Sequence, residues 1–531
     1  MIIRGVVERN LYDPPVTLSL LATSLHSSNM GNTPSSIAAT TVGAVVAGVA
    51  TTGVLGIVGL IMLLRRISRS VGLAPPNQKQ LTQEIPSKNC ALFRHFPALA
   101  TKLAWRSLGV KGPSPIHVCQ LDERTKFLLK REDLILQNDY AGNKVRTLQH
   151  QLAVCEARRD RGESAFSKLV SIGSGGSNQV VATVVHARKV GYNLGDSPSV
   201  GACWFDKDEP DLDNTLNMLS VLSFPKVSFL HDWGTKVGFI GTIRALSDAW
   251  RQNTLVPMML GGNCASGVLG QTSGVLELAE QIIAGDAPDV ERIYVPVGSS
   301  CTTSGLILGT VMVRQLGLQA LQSKNFKIVA CNVHDKFAMG DRLLNLHVNP
   351  LFRFMPLTIT HSVLGACRAL VELGGPDLES EALKFMKNHV EVRADSDVVG
   401  AYGGHSELSR QAAKDYDEKG IVTNYKTGNK EKELWVCGHF VAKAFQPLVE
   451  DLKNNSKNNA DNDDPKYMLW MTKSAVQPRG NLNEWTRLMD RSNEVQEWAD
   501  QGKAESILRP GKVSIKDGKP EDYRSLMTEI L

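Results

Sequence analysis

The feature that most constrains the fold is an alternation of two kinds of segment between about residues 91 and 480. Short β-branched runs predict strands, and longer stretches between them place apolar residues at helical spacing. Such an order predicts an α/β protein whose open sheets are mostly parallel. The predicted strands include KFLLK, KLVSIG, VSFL, ERIYVPVG and FKIVACNV, and the predicted helices include KVRTLQHQLAVCEARRD, NQVVATVVHARKVG, SGVLELAEQIIAG and TSGLILGTVMVRQLG.

Size and composition narrow the class of protein. At 531 residues the chain is too long for one ordinary core, and 42% hydrophobic with 21% charged residues indicates a globular protein. The net charge of +5 is small for this length and spread along the chain, so nucleic-acid binding is not expected. The nine cysteines form no CxxC pair and have no zinc-type spacing with histidine. We therefore predict no metal site and a reducing compartment.

The N-terminus has a different composition. Residues 42–64 are a continuous run of apolar, Gly and Thr residues, and three arginines follow by residue 69. A helix over this run, rising about 1.5 Å per residue, covers the roughly 30 Å hydrocarbon layer of a bilayer. The sequence predicts a transmembrane helix over 37–65, with the C-terminal bulk facing the cytosol or an organelle matrix, such as that of a mitochondrion or plastid. A cleaved transit or signal segment is the alternative, and the acidic Glu8 and Asp13 count against a transit peptide.

Three junctions combine a strand end, a small-residue turn and the start of a helix. Helix N-termini present free N–H groups and a positive dipole end, and sites in open α/β sheets gather there. The first junction, NDYAGNKVRTLQHQLA, places Lys144 at a helix start. A solvated helix lysine is the ordinary interpretation, but the glycine turn allows close approach of a ligand, and a positive helix end should lower the pKa of the amine.

The second and third junctions predict anion-binding turns. SIGSGGSNQ resembles a dinucleotide-binding GxGxxG only superficially, because Asn178 replaces the third glycine and no acidic residue follows at the expected distance. Ser177 and Asn178 could instead bind a carboxylate or a phenolate oxygen. In YVPVGSSCTTSGLILG, successive small and hydroxyl residues could hold a phosphate monoester, although no GK[ST] ends the motif as in a Walker A loop. Pyridoxal phosphate accounts for all three junctions, because it has an aldehyde, a ring hydroxyl and a phosphate.

The motifs KREDLILQNDYAGNKVR, SIGSGGSNQ and VGSSCTTSGL resemble those of the pyridoxal-phosphate-dependent D-cysteine desulfhydrase and 1-aminocyclopropane-1-carboxylate (ACC) deaminase family. VPMMLGGNCASGVLGQTSGVLELAEQI and GAYGGHSE extend the resemblance, which spans about 85–480. It implies a two-domain fold type II pyridoxal-phosphate enzyme of the tryptophan synthase β-like kind and a homodimer. The expected organisation is an N-terminal segment 1–36, the transmembrane helix 37–65, a linker 66–90, a large cofactor-binding domain 91–146 with 265–484, a small domain 147–264, and a charged C-terminal tail 485–531.

The resemblance also implies residue roles. Lys144 would form the Schiff base with the cofactor, Asn178 would contact its ring hydroxyl, and Thr472 would lie at its pyridine nitrogen. The implied phosphate loop is Gly298, Ser299, Ser300, Cys301 and Thr302. Ser177, Asn178 and Gln179 would bind substrate, and the implied catalytic set is Lys144, Ser177, Tyr402 and Tyr425.

Two positions bear on the substrate. Deaminases of the family carry Glu and Leu where this chain has Thr427 and Thr472, whereas desulfhydrases carry Thr at both. YKTG is one residue longer than the family's Tyr-Thr-Gly, and MTKSA replaces His-Thr-Gly-Gly, which introduces a lysine. The expected function is a lyase that eliminates sulfide and ammonia from D-cysteine or a related β-substituted amino acid. ACC deaminase and a non-catalytic membrane-tethered amino-acid-binding or scaffold protein are the alternatives.

Overall fold

The computed structural model describes the chain in fourteen ranges, and the other residues are not discussed structurally. The described ranges are 71–123, 125–136, 139–174, 177–192, 199–205, 212–224, 228–229, 256–334, 354–394, 406–431, 435–455, 465–474, 476–480 and 528–530. The predicted transmembrane helix 37–65, Tyr402 and nearly all of the predicted C-terminal tail lie outside these ranges. Within them, none of the helices is both long and apolar enough to span a bilayer.

The described part of the chain is a mixed α/β structure. Its helices are α1 (Gln78–Gln83), α2 (Pro86–Asn89), α3 (Ala91–His95), α4 (Lys144–Asp160), α5 (Asn178–Ala187), α6 (Leu212–Leu222), α7 (Ala265–Ile283), α8 (Cys301–Gln315), α9 (Phe354–Glu372), α10 (Glu379–His389), α11 (Glu407–Lys419) and α12 (Val441–Asn455). Its strands are β1 (Ile116–Gln120), β2 (Lys126–Arg131), β3 (Lys168–Ser174), β4 (Ser199–Phe205), β5 (Ser228–Phe229), β6 (Val256–Met258), β7 (Arg292–Val297), β8 (Lys327–Asn332), β9 (Val390–Arg393), β10 (Ile421–Asn424), β11 (Tyr467–Met471), β12 (Pro478–Arg479) and β13 (Thr528–Glu529).

Two main sheets organise these elements. The large sheet has seven strands in the order β10-β1-β2-β11-β7-β8-β9, and the small sheet has four in the order β5-β4-β3-β6. The small sheet is parallel throughout. The large sheet is parallel from β2 to β9, and only the β10–β1 and β1–β2 pairs are antiparallel. The prediction of mostly parallel sheets in an α/β protein is confirmed.

The large sheet lies between two helical layers. On β11, Met468 and Trp470 join the apolar cluster formed with α7, α8 and α9, whereas Leu469 and Met471 join the cluster formed with α11 and α12. This alternation follows from the two-residue period of a strand, which sends successive side chains to opposite faces. The third cluster packs α4, α5 and α6 against the small sheet.

The described part of the predicted linker is folded. Residues 71–90 contain α1 and α2, and Asn77 caps α1 by exchanging hydrogen bonds with Gln80 (2.8 and 3.0 Å). Gln80 Nε2 also donates to Ala153 O and Glu156 Oε2 of α4 at 3.0 and 2.7 Å. Although its composition is polar, this segment is therefore fixed to α4 by buried hydrogen bonds. The division into large and small domains remains a prediction.

Candidate active site

The turn before α4 is held between the ends of two neighbouring strands. Gly142 has a φ of +98°, and a Cβ there would lie 2.7 Å from Thr472 O, so the position requires glycine. Its N–H donates to Glu132 O after β2 (2.9 Å), and the N–H of Asn143 donates to Thr472 O after β11 (3.1 Å). Lys144 therefore begins α4 at the carboxyl edge of the large sheet, where sites of α/β proteins gather.

The amine of Lys144 meets a glycine turn from a distant part of the chain. Its Nζ donates to Gly261 O at 3.2 Å, and the side chain is partly buried. Gly261 has a φ of +59°, and a Cβ there would overlap the side chain of Ser299 and lie 3.5 Å from Lys144 Nζ. The amine of Lys144 thus lies where three segments meet, which are the start of α4, the start of α8 and the turn before α7.

Burial changes the protonation of this amine. Desolvation lowers the pKa of Lys144 from the ordinary value of 10.5, while the nearby Cys301 acts in the opposite direction. Burial also raises the pKa of the Cys301 thiol to about 12, so this thiol is neutral near pH 7 and gives the ammonium little support. A lysine with a lowered pKa offers more of the neutral amine, which is the form that attacks a carbonyl.

The hydroxyl turn, Gly298–Thr302, connects β7 to α8. Ser300 caps α8 with a φ of +67°, an uncommon left-handed conformation for a residue other than glycine. Asn263 Nδ2 lies within hydrogen-bond distance of Ser299 O (2.6 Å), Ser300 Oγ (3.0 Å) and Ser362 Oγ (2.9 Å). These contacts hold the strained turn against the Gly261 turn.

The start of α8 has the properties of an anion-binding site. The helix has 15 residues, and the N–H groups of its first turn have no acceptor within the helix. Asn143 Nδ2 donates to Thr302 Oγ1 at 2.6 Å, which ties this turn to the residue before Lys144. Thr303 Oγ1 is buried and has no hydrogen-bond partner among the described residues. The turn can therefore hold an anionic group beside the amine.

The start of α5 supplies a polar side chain with a fixed orientation. Asn178 Oδ1 accepts hydrogen bonds from Asn217 Nδ2 on α6 (2.8 Å) and from Tyr140 OH (3.3 Å), four residues before Lys144. Because Asn178 Oδ1 already accepts two hydrogen bonds, the amide N–H is the group that can donate to a ligand oxygen. Ser177, the N-cap of α5, is buried, and a Cβ on Gly173 would lie 2.6 Å from its Oγ.

Two buried amide oxygens flank the Gly262 side of the site. Gln179 Oε1 and Gln151 Oε1 have no hydrogen-bond partner among the described residues, and both would lie 3.3 Å from a Cβ on Gly262. Buried polar atoms are normally satisfied, so these oxygens indicate a position that binds a hydrogen-bond donor. Gln179 thus lies beside the Gly261–Gly262 turn, near Lys144.

The remaining predicted residues have other positions. Tyr425 follows β10, its N–H donates to Ile116 O (3.2 Å), and its ring packs against the core of the large sheet. Thr427 is exposed in the turn after β10, where its Oγ1 accepts from the N–H of Asn429 (3.3 Å). Thr472 contributes its main-chain oxygen to the turn before Lys144. Tyr402 lies outside the described residues.

Comparison with known proteins gives structural likeness only. No family model and no curated protein matches the chain. The chain is similar to an ACC deaminase homologue, with 16% identity and a TM-score of 0.49 over 72% of this chain and 94% of that one. It is similar to PLP-bound threonine synthase from Brucella melitensis (12% identity, TM-score 0.41, 88% and 93%) and to threonine deaminase isoform 2 from Solanum lycopersicum (14%, 0.40, 79% and 97%).

Several residues of the site were not assigned a role from the sequence. Asn143, Asn263 and Asn217 each orient another polar group by a side-chain hydrogen bond, and Tyr140 supports Asn178. Asn263 follows the glycine pair of MLGGN, so the glycines could have directed attention to it. Asn217 lies within an ordinary helical pattern and had no such neighbour.

Proposed function

We propose that this protein is a pyridoxal-phosphate-dependent lyase that eliminates sulfide and ammonia from D-cysteine or a related β-substituted amino acid. The observation that carries this proposal is a chain of contacts. The Lys144 amine, at the start of α4, donates to Gly261 O, and Gly261 packs against Ser299 of the hydroxyl turn before α8. A surface lysine would have neither the lowered pKa nor a glycine turn built around it.

The residues present fit the cofactor. Lys144 would hold its aldehyde carbon, and the hydroxyl turn with the first N–H groups of α8 would hold its phosphate. The amide N–H of Asn178 would face its ring oxygen, because two donors already occupy Asn178 Oδ1. The unpartnered buried oxygens of Gln151, Gln179 and Thr303 are further groups that a bound ligand can satisfy.

The chemistry divides between cofactor and protein. Pyridoxal phosphate, when bound, supplies a conjugated system that accepts the electron pair left when Cα loses its proton. Lys144 Nζ can take that proton because desolvation favours its neutral form. Ser177, at the N-terminus of α5, can hold the substrate carboxylate with the free N–H groups of that helix. D-cysteine and water then give pyruvate, hydrogen sulfide and ammonia.

Support for D-cysteine over ACC comes from Thr472 and the family resemblance. Thr427 adds none, because it is exposed in a turn beyond β10. ACC deaminase, which gives 2-oxobutanoate and ammonia, therefore remains the second candidate. The ACC deaminase homologue among the similar structures is compatible with either activity.

The test is turnover of purified protein supplied with pyridoxal phosphate. We expect sulfide and pyruvate from D-cysteine, and a rate at least about 100-fold lower in Lys144→Ala because its proton-transfer group is lost. Lys384→Ala, which changes an exposed lysine of α10, is the matched control and should leave the rate unchanged. Formation of 2-oxobutanoate from ACC without sulfide from D-cysteine would favour the second candidate. Absence of both products despite bound cofactor would favour the non-catalytic alternative.

A further inference from the structure

A second group of chemically active side chains lies where α6, the chain before α12 and the chain after β11 meet. Asp213, Cys437 and His439 each offer one metal-ligand atom, and these three atoms lie within 4.8 Å of one another. Their exposed fractions are 1%, 0% and 0%. Lys473 Nζ, equally buried, lies 3.6 Å from Asp213 Oδ1. We call Asp213, Cys437 and His439 the buried triad.

The chain around Cys437 presents its sulfur as a ligand. Cys437 O accepts from the N–H of Ala442 at 2.9 Å, and Phe440 O accepts from the N–H of Lys443 at 3.2 Å, so the chain makes a tight turn as it enters α12. Metal ions bind the thiolate, so binding of an ion at Cys437 releases the thiol proton. The tight turn also brings His439, two residues later, to the same side as the sulfur.

We propose that the buried triad is a zinc-class metal site. Thiolate, imidazole and carboxylate are the three ligand types that Zn²⁺ takes from proteins, and three protein ligands with a further donor complete a tetrahedral site. None of its three ligands belongs to the set around Lys144, so the metal proposal does not require the proposed cofactor to be bound.

The competing explanation is an ion pair between Lys473 and Asp213 that needs no metal. Lys473 also lies over the ring of Trp435, 5.0 Å from its centroid, so an ammonium has two favourable neighbours there. That explanation accounts for Asp213 but gives no reason for a thiol and an imidazole to converge on the same carboxylate. In a metal site, Lys473 orients Asp213 by pairing with one carboxylate oxygen while the carboxylate binds the ion, a common outer-shell role.

The position of the triad gives the metal a structural role. Asp213 lies one helical turn before Asn217, which donates to Asn178. Lys473 pairs with Gly142 in an isolated β-bridge, next to the turn that begins α4. An ion held by α6 and the chain before α12 would therefore fix the helix that orients Asn178.

The experiment measures metal directly on the full chain under reducing conditions. We expect about one equivalent of zinc per chain, and a thiolate-to-metal charge-transfer band in the difference spectrum between Co²⁺-loaded and metal-free protein. Cys437→Ser should lose the band and weaken Co²⁺ binding more than about tenfold. Cys367→Ser, which changes another buried cysteine on α9, is the matched control and should bind as the unchanged protein does.

The unfolding midpoint of the wild-type protein tests the metal site even if Cys437→Ser fails to fold. A chelator should lower its unfolding midpoint, and added Zn²⁺ should restore it, because an ion that binds only the folded state stabilises that state. Substoichiometric zinc, no thiolate band with Co²⁺ and no chelator effect would together overturn the metal site and leave a buried ion pair. Loss of the band in Cys367→Ser instead would move the binding away from the triad and equally overturn the proposal.

Discussion

At the scale of single residues, the site depends on positions where only a hydrogen fits. Gly261→Ala combines a left-handed φ with overlap between the new methyl group and Ser299, so it should lower both cofactor binding and the free energy of unfolding. Gly285→Ala is the matched control, because its φ of +75° is similar but nothing lies within 4 Å of the new Cβ. We expect the control to cost about 1 kcal/mol from backbone conformation alone. Chemical unfolding measures the free energy of unfolding, and cofactor absorbance measures cofactor binding. Equal effects in Gly261→Ala and Gly285→Ala would contradict the close approach at Gly261.

The lowered pKa of Lys144 has a consequence for stability. A buried amine whose pKa falls on folding opposes folding at pH values below that pKa, and the penalty disappears as pH rises towards the ordinary value of 10.5. Lys144→Met should therefore raise the free energy of unfolding of the cofactor-free protein at pH 7, and this advantage should shrink towards pH 10. Urea unfolding at the two pH values measures it. A variant that loses stability equally at both would show that the amine is not desolvated.

At the scale of elements, a buried ionic network fixes α4 beneath its reactive end. Arg146 donates to Glu132 through Nε and Nη2 (2.6 and 2.9 Å) and to Glu277 Oε1 on α7 (2.9 Å), which also accepts from Lys130 Nζ on β2 (2.7 Å). The network thus joins β2, α4 and α7 two residues after Lys144. These buried contacts restrict the position of the start of α4.

Removing one charge from this network should be costly. Glu277→Gln leaves two buried cations facing one carboxylate, so we expect a loss of about 3–5 kcal/mol in the free energy of unfolding. Glu280→Gln, on the same helix but in a partly exposed pair with Arg94, should cost no more than about 1 kcal/mol. Denaturant titration distinguishes them, and equal losses would mean that the network contributes no more than a surface pair.

The same network predicts an acid dependence. Burial alone would raise the pKa of Glu277, but Arg146 and Lys130 outweigh it and lower the pKa from 4.5 to about 2. The stabilisation is therefore complete above pH 4.5 and is lost as pH falls through about 2. In Glu277→Gln, that part of the acid dependence should be absent.

Local patterns predicted the elements well and their mutual contacts poorly. The helix beginning at Lys144 and the strand before the hydroxyl turn follow from periodicity and small-residue turns, and the structure confirms both. The buried triad could not be predicted, because Asp213 meets Cys437 and His439 only through the packing of elements far apart in the chain. The role of Tyr425 comes from a motif match alone and stays a prediction, and its side chain packs against the core of the large sheet.

At the scale of the whole molecule, the predicted membrane anchor is tested by deleting residues 1–70. Val71 is buried, and its carbonyl accepts from Arg158 Nη1 on α4 (3.1 Å), so a deletion should end before it. Deleting residues 1–70 should move the protein from the membrane fraction to the supernatant with an unchanged unfolding midpoint, because residues 42–64 are the predicted anchor. Fractionation of both forms tests this, and a deleted protein that stays with membranes would place the attachment elsewhere.

The covalent attachment of pyridoxal phosphate to Lys144 is tested most directly by chemical trapping. Protein supplied with pyridoxal phosphate is reduced with borohydride, digested and mapped by mass spectrometry. We expect the phosphopyridoxyl group on Lys144, and no such group at any buried lysine of Lys144→Ala. Stable modification of Lys473, Lys130 or Lys443 in place of Lys144, or of no buried lysine at all, would contradict it.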